Sequence, residues 1–116
     1  MSTPGDRETM RAAVLLGPGE IEVRSVAIPS PAPSQVRLRL EGCGVCGSNL
    51  ALWQGRPWFK YPTESGTPGH EGWGVIDRVG DAVDRAWIGR RVAALSYHAF
   101  AEYDVAEASH VVPLPD

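Results

Sequence analysis

Residues 42–47, with the sequence GCGVCG, carry two cysteines in a glycine-rich turn. The G-x-G-x-x-G spacing is that of a dinucleotide-binding turn, in which glycines let the backbone approach a pyrophosphate. Cys43 and Cys46 also form a C-x-x-C pair, a spacing used for redox exchange and for zinc. A third interpretation is that Cys46 alone is a metal ligand whose partners lie elsewhere in the chain. Each interpretation requires a different fold around the turn.

The dinucleotide interpretation depends on the segment after the turn. A Rossmann turn needs a full helix that returns the chain to a second parallel strand within about 30 residues. Here the helical pattern SNLALWQG covers only about two turns and then meets GRPWFKYP. The preceding segment QVRLRLEG has a polar face, whereas a parallel strand is usually apolar on both faces. The context therefore disfavours a coenzyme site in this chain.

The C-x-x-C interpretation requires the two sulfur atoms to converge. If the preceding strand continues in register, Cys43 and Cys46 point to opposite faces, although the glycines could reset that register. A redox pair also needs a thioredoxin-like helix N-terminus, and a structural zinc site needs a second ligand pair. No such pair is formed by the histidines of the chain, which are His70, His98 and His110. We therefore predict that Cys43 is a small core residue.

The single-ligand interpretation gains support from the segment PGHEGWG at 68–74. It puts His70 and Glu71 between glycines, at the start of a predicted strand. Thiolate and imidazole are both good zinc ligands, and a catalytic zinc keeps one position open for substrate. Flanking glycines let the backbone approach closely. Taken singly, His70 is more often a structural histidine and Glu71 a solvated charge, but C-G-S-N followed by G-H-E-G-x-G favours a zinc site containing Cys46 and His70.

Short strands must position these residues. Apolar and polar residues alternate in EIEVRSV at 20–26 and in QVRLRLEG at 35–42, which is the period of a half-buried strand. Further strand candidates are RAAVLL, GWGVIDRVG, GRRVAAL, YHAFAEYDV and HVVPLP, whereas IPSPAPS and GRPWFKYPTESGTPG are loops. Many short strands with glycine and proline turns predict an all-β fold, as a small barrel or sandwich.

Length and charge exclude several classes of protein. The 116 residues are enough for one domain, and a net charge of −3 with scattered basic residues gives no basis for binding nucleic acid. No apolar run approaches a membrane span, and MSTPGDRET contains no apolar segment of a secretory signal. We therefore expect a flexible arm at 1–9, a domain at 10–116 and a cytoplasmic location without membrane contact.

Taken in this order, the motifs resemble those of the zinc-dependent alcohol dehydrogenases of the medium-chain dehydrogenase/reductase superfamily. The likeness runs through MRAAVL, GCGVCGSNLALWQG, PGHEGWGVIDRVGDAV, IGRRVA and FAEYDVAEASHVVPLPD. It implies the N-terminal catalytic domain of such an enzyme, a GroES-like, partly open β-barrel with one or two short helical turns. In the family a Rossmann coenzyme domain comes next in the chain, and we expect it to be absent here.

The resemblance also implies roles for individual residues. Cys46 and His70 match two ligands of one catalytic zinc, and Glu71 matches a glutamate that is a ligand or lies beside the metal in relatives. Ser48 matches the hydroxyl that takes the proton of the alcohol. The implied reaction transfers hydride between an alcohol or polyol, or its carbonyl product, and NAD or NADP, with zinc polarising the substrate oxygen.

Substrate and assembly are also implied by the resemblance. Trp53 matches an aromatic residue that some relatives place against the substrate. Trp58 in the next loop would either extend this apolar wall or serve only the packing of the loop. The partners are a small-molecule alcohol or carbonyl compound and, in the full-length protein, further copies of the same chain. NAD or NADP would bind only through the missing coenzyme domain, so the isolated 116 residues are expected to be inactive.

Three departures from the family pattern bear on the chemistry. Asn49 stands where the family usually has aspartate, so the surroundings of the metal lose a negative charge. Ala51 stands where relatives with a longer proton relay have histidine. No cysteine lies beyond GRRV, so the lobe that binds a structural zinc is missing and we expect one zinc per chain.

Two other functions stay open at this point. A non-catalytic GroES-like binding or interaction module would keep the barrel without the zinc chemistry. A zinc-free reductase of the same superfamily would keep the fold as well, although it has no need of Cys46 and His70. The amount of zinc bound by the protein distinguishes these functions.

Overall fold

Two antiparallel sheets make up the computed structural model, which describes residues 8–115. The smaller sheet pairs β1 (Thr9–Gly17) with β2 (Glu20–Ala27). The larger sheet contains β3 (Gln35–Gly44), β4 (Glu71–Val79), β5 (Arg91–Ala94), β6 (Tyr103–Glu107) and β7 (Val111–Pro113), in the order β6-β3-β4-β5-β7. One short helix, α1 (Leu50–Gln54), and 3₁₀ turns at Gly47–Asn49, Arg85–Trp87 and Ala108–His110 complete the described part.

The predicted all-β, partly open fold is confirmed, and each predicted strand segment contributes a strand. The predicted helical pattern at 48–55 corresponds to the 3₁₀ turn followed by α1. The arm predicted at 1–9 lies largely outside the described residues, and β1 begins at Thr9. Within residues 8–115 no helix is long and apolar enough to cross a membrane.

The main core lies against β3 and β4. Its four most deeply buried side chains are at most 1% exposed and are Val36, Leu38, Ile76 and Val92. Arg37, predicted on the polar face of β3, is also buried, because its guanidinium binds both carboxylate oxygens of Asp77 at 2.7 and 2.9 Å. A buried arginine needs such a partner for its charge. This ion pair joins β3 to β4, the two strands that contain parts of the motifs GCGVCG and PGHEGWG.

Strand β2 differs from the half-buried strand that its alternation predicts. Ile21 and Val23 form one apolar face, but each is 57% exposed. The strand pairs only with β1 in the part of the chain that the structure describes, and its apolar face is left largely open to solvent.

Candidate metal centre

The end of β3 and the start of β4 bring the two cysteine- and histidine-containing motifs together. In the antiparallel pairing Gly44 lies opposite Glu71, and Cys43 lies opposite Gly72. After Gly44 the chain turns through Cys46, while His70 directly precedes β4. Segments separated by some 25 residues of loop and helix thus become neighbours. This pairing is what creates the site.

Cys46, His70 and Glu71 converge at this point. One ligand atom from each, the Cys46 sulfur, a His70 ring nitrogen and a Glu71 carboxylate oxygen, all lie within 4.8 Å of one another. They are the only such group of three among residues 8–115, and Cys43 is not part of it. Cys46 and His70 are half-buried and Glu71 is exposed, so a metal ion can reach the group from solvent.

The glycines of GCGVCG serve this centre. A side chain at Gly42 would lie 2.2 Å from the Trp73 ring, and one at Gly44 would lie 2.5 Å from the Glu71 carboxylate. Both distances are far below van der Waals contact, so a Cβ at Gly42 would force the Trp73 ring to move and one at Gly44 would force the Glu71 carboxylate to turn away. Two of the three glycines in the G-x-G-x-x-G spacing thus face side chains across the sheet, whereas nothing lies within 4 Å of the Cβ position of Gly47. All strand pairings within residues 8–115 are antiparallel, which argues further against a dinucleotide turn there.

Hydrogen bonds shift the pKa values of Cys46 and His70 in opposite directions. The Ser48 hydroxyl and backbone N–H, followed by His70, lower the pKa of the Cys46 thiol and so favour the thiolate. His70 Nδ1 lies 2.9 Å from the Pro68 carbonyl oxygen, and this bond, with the Cys46 sulfur, raises the pKa of His70. A metal takes thiolate and neutral imidazole, so the shift at Cys46 favours metal binding and the shift at His70 opposes it.

The donor set fits zinc. A thiolate, an imidazole and a carboxylate match a catalytic zinc site with three protein ligands and an open fourth position. Zinc–ligand bonds of about 2.0–2.3 Å in a tetrahedron place ligand atoms about 3.3–3.8 Å apart. The observed ligand atoms, all within 4.8 Å of one another, lie at or somewhat above that spacing.

A cavity of about 720 Å³ opens beside the centre. Ser48 and His70 are in its wall, with Phe59, Leu95 and Tyr97 as apolar neighbours. Leu95 and Tyr97 were missed by sequence reasoning, because they come after β5 in a segment that carries no motif. They are 46% and 63% exposed, so they form the rim of the cavity and not its floor.

The two predicted pocket tryptophans are not among the residues that line this cavity. Trp53 lines an adjoining, more apolar cavity of about 490 Å³, together with Ile21 and Leu50. The two cavities share Asn49, Thr67 and Pro68. Trp58 is 69% exposed, packs on Phe59 with ring centres 5.9 Å apart, and is in the wall of neither cavity. Their role in binding substrate stays a prediction.

Cys43 is half-buried, and its thiol donates to the Gly44 carbonyl oxygen at 3.4 Å. Burial raises the pKa of this thiol, the opposite of the shift at Cys46. The two cysteines therefore differ in position and in the direction of their pKa shifts, and only Cys46 belongs to the group of converging ligand atoms.

Comparison with known proteins gives several matches. Residues 32–116 match the family model described as the alcohol dehydrogenase GroES-like domain. Sorbitol dehydrogenase of Homo sapiens is 36% identical over 81 residues, which cover 69% of this chain and 23% of that protein. The solved NADH complex of an Escherichia coli alcohol dehydrogenase, RspB, matches with a TM-score of 0.81 at 25% identity, covering 95% of this chain and 40% of that one. For a quinone oxidoreductase of Pseudomonas syringae the TM-score is 0.76 at 26% identity, covering 92% and 34%.

Proposed function

The chain belongs to the alcohol dehydrogenase GroES-like domain family of the medium-chain dehydrogenase/reductase superfamily, and from this premise we propose that it is the catalytic domain of a zinc-dependent oxidoreductase. Its substrate is an alcohol or polyol, or the corresponding carbonyl compound. The observation that carries the proposal is the convergence of Cys46, His70 and Glu71 within 4.8 Å, beside a cavity that contains Ser48. The chain spans about a quarter of the length of sorbitol dehydrogenase, so this is a proposal about a larger protein's activity.

Cys46, His70 and Glu71 would hold one zinc ion. When bound, zinc would polarise the substrate oxygen, which eases loss of the proton from an alcohol and makes the carbon of a carbonyl compound more electrophilic. The Ser48 hydroxyl would take that proton and release it to water, since it lines the same cavity as His70. Phe59 and Leu95 would exclude water from one side of the substrate.

NAD or NADP would be bound by a coenzyme domain that these 116 residues do not contain. A dinucleotide site needs parallel strands joined by a helix, whereas the strands within residues 8–115 pair antiparallel. The whole protein would be a cytoplasmic homo-oligomer that acts on small molecules.

Titration of the purified 116-residue chain with NADH and NADPH is expected to show no saturable binding. Hydride transfer needs the nicotinamide held against the reacting carbon, and that positioning supplies much of the rate. No alcohol-dependent reduction of NAD or NADP is therefore expected either. The fluorescence and the absorbance of the reduced nicotinamide measure binding and turnover, with a complete alcohol dehydrogenase as the positive control. Saturable binding accompanied by turnover would contradict the proposal that a separate coenzyme domain binds NAD or NADP.

A zinc-free reductase of the same superfamily is a second candidate, supported by the likeness to the quinone oxidoreductase. Zinc content separates the two. Protein dialysed against zinc and then against metal-free buffer is expected to retain one zinc per chain, because the described residues contain one group of three suitable ligands. Elemental analysis measures this. A chain that retains no zinc would favour the reductase or an interaction module, and two zincs per chain would mean that a second metal site exists.

A further inference from the structure

Asn49 hydrogen-bonds to both of the segments that carry the metal ligands. Its side-chain oxygen accepts from the backbone N–H of Cys46 at 3.0 Å. Its side-chain nitrogen donates to the carbonyl oxygen of Pro68, two residues before His70, at 3.3 Å. The residue is half-buried, which limits competition from water. One side chain therefore links the turn after β3 to the segment before β4.

The partners of the Asn49 amide fix its orientation. A backbone N–H can only donate and a carbonyl oxygen can only accept, so Oδ1 must face Cys46 and Nδ2 must face Pro68. A flipped amide would set donor against donor and acceptor against acceptor. Both halves of the amide are thus in use, one on each ligand segment.

The Pro68 carbonyl oxygen is shared with His70. The His70 Nδ1 atom lies 2.9 Å from this oxygen, which has lone pairs for two donors. Because the carbonyl cannot donate, the bond requires the proton of the imidazole to sit on Nδ1 and leaves Nε2 free as a ligand atom. The oxygen that Asn49 holds in place is therefore the one that selects the His70 tautomer.

We propose that Asn49 is a positioning residue of the metal centre, which acts through the Pro68 carbonyl and requires an amide at this position. The inference rests on the proposed zinc site. Aspartate, the usual family residue here, keeps the acceptor for Cys46 but has no N–H for Pro68, and its charge faces the carbonyl oxygen. In this chain aspartate therefore loosens the Pro68 segment and weakens the preference of His70 for the Nδ1–H tautomer.

The first test uses the metal-free chain, so it does not depend on zinc binding. Imidazole ¹⁵N chemical shifts are expected to show the Nδ1–H tautomer for His70 in the wild type and a shift toward Nε2–H in Asn49→Asp. His98 is an internal control, because its ring bonds to Glu64 at 2.8 Å and not to Asn49 or Pro68. Hydrogen exchange of the Asn49 side-chain amide in the wild type, expected to be slower than that of exposed Gln54, tests the bond without any variant. The same His70 tautomer in both proteins, or equal exchange of the two amides, would overturn the proposal.

The second test measures zinc affinity by competition with a chromophoric chelator. Asn49→Asp is expected to bind zinc about 10-fold or more weakly, in the range found when partners of metal ligands are removed. Gln54→Glu is the matched control, since it makes the same amide-to-carboxylate change at an exposed position of α1 and should leave affinity unchanged. Equal affinity in Asn49→Asp and the wild type would overturn the proposal. If the wild type itself binds no zinc, the proposed function fails, while the His70 tautomer still decides the role of Asn49.

Discussion

Cys46→Ser is expected to abolish zinc binding, lowering the zinc content of the purified protein from one atom per chain to nearly none. Serine stays protonated at neutral pH, so the centre loses both a negative charge and its only sulfur ligand. His70 and the exposed Glu71 remain, and two ligands of this kind do not hold zinc against dialysis. Elemental analysis after dialysis measures the loss. In the cobalt-loaded protein, the same change should remove the thiolate-to-metal absorption band.

Cys43→Ala is the matched control for that experiment. It also removes one sulfur from the GCGVCG turn, but this sulfur lies outside the group of converging ligand atoms. The half-buried thiol contributes only local packing, so the substitution should cost about 1 kcal/mol or less of stability and leave zinc content unchanged. Loss of zinc equal to that in Cys46→Ser would show that the two cysteines act as a pair.

Gly66→Ala is expected to lower the free energy of unfolding by about 3 kcal/mol or more. Gly66 has a φ of +84°, and a Cβ atom there would lie 2.2 Å from the backbone oxygen of His98. The glycine also bonds to Ala13 and Phe100 through its N–H and C=O, so the backbone cannot move away without breaking these bonds. Chemical denaturation of the metal-free protein measures the change. Because this segment leads to Pro68 and His70, zinc affinity should fall as well.

Gly89→Ala separates the two causes of that loss. Gly89 also has a positive φ, +91°, but nothing lies within 4 Å of the position that its Cβ would occupy. Only backbone strain should act there, at about 1–2 kcal/mol, and zinc binding should not change. Equal destabilisation by the two substitutions would mean that the approach of His98 to Gly66 contributes nothing.

The parts of the metal centre that could be predicted are those carried by local chemistry. Cysteine and histidine between glycines are recognisable as ligands in any fold, and alternation along β3 predicts a strand whatever its neighbours. The contacts that the glycines make across the sheet could not be predicted from the sequence. Gly42 and Gly44 lie against the side chains of Trp73 and Glu71, which approach them only because β3 and β4 pair in one particular register.

Contacts between distant segments account for what the sequence did not reveal. Leu95 and Tyr97 reach the cavity because β5 pairs with β4, and nothing in their own segment indicates it. The alternation in β2 has the period of a strand, but period does not tell whether a second layer covers the apolar face. For Asn49, comparison with the family indicated a lost charge, whereas the structure shows a donor in use toward Pro68.

The open edge of β2 bears on how the protein behaves when it is concentrated. In the described part of the chain its outer backbone groups have no strand partner, and exposed Ile21 and Val23 lie beside them. Such an edge is a template for pairing with a second molecule. Glu20 and Glu22 alternate with these apolar residues, so two copies that pair side by side must bring their glutamates together. Salt weakens repulsion between exposed charges, so added salt is expected to favour pairing of this edge with a second molecule.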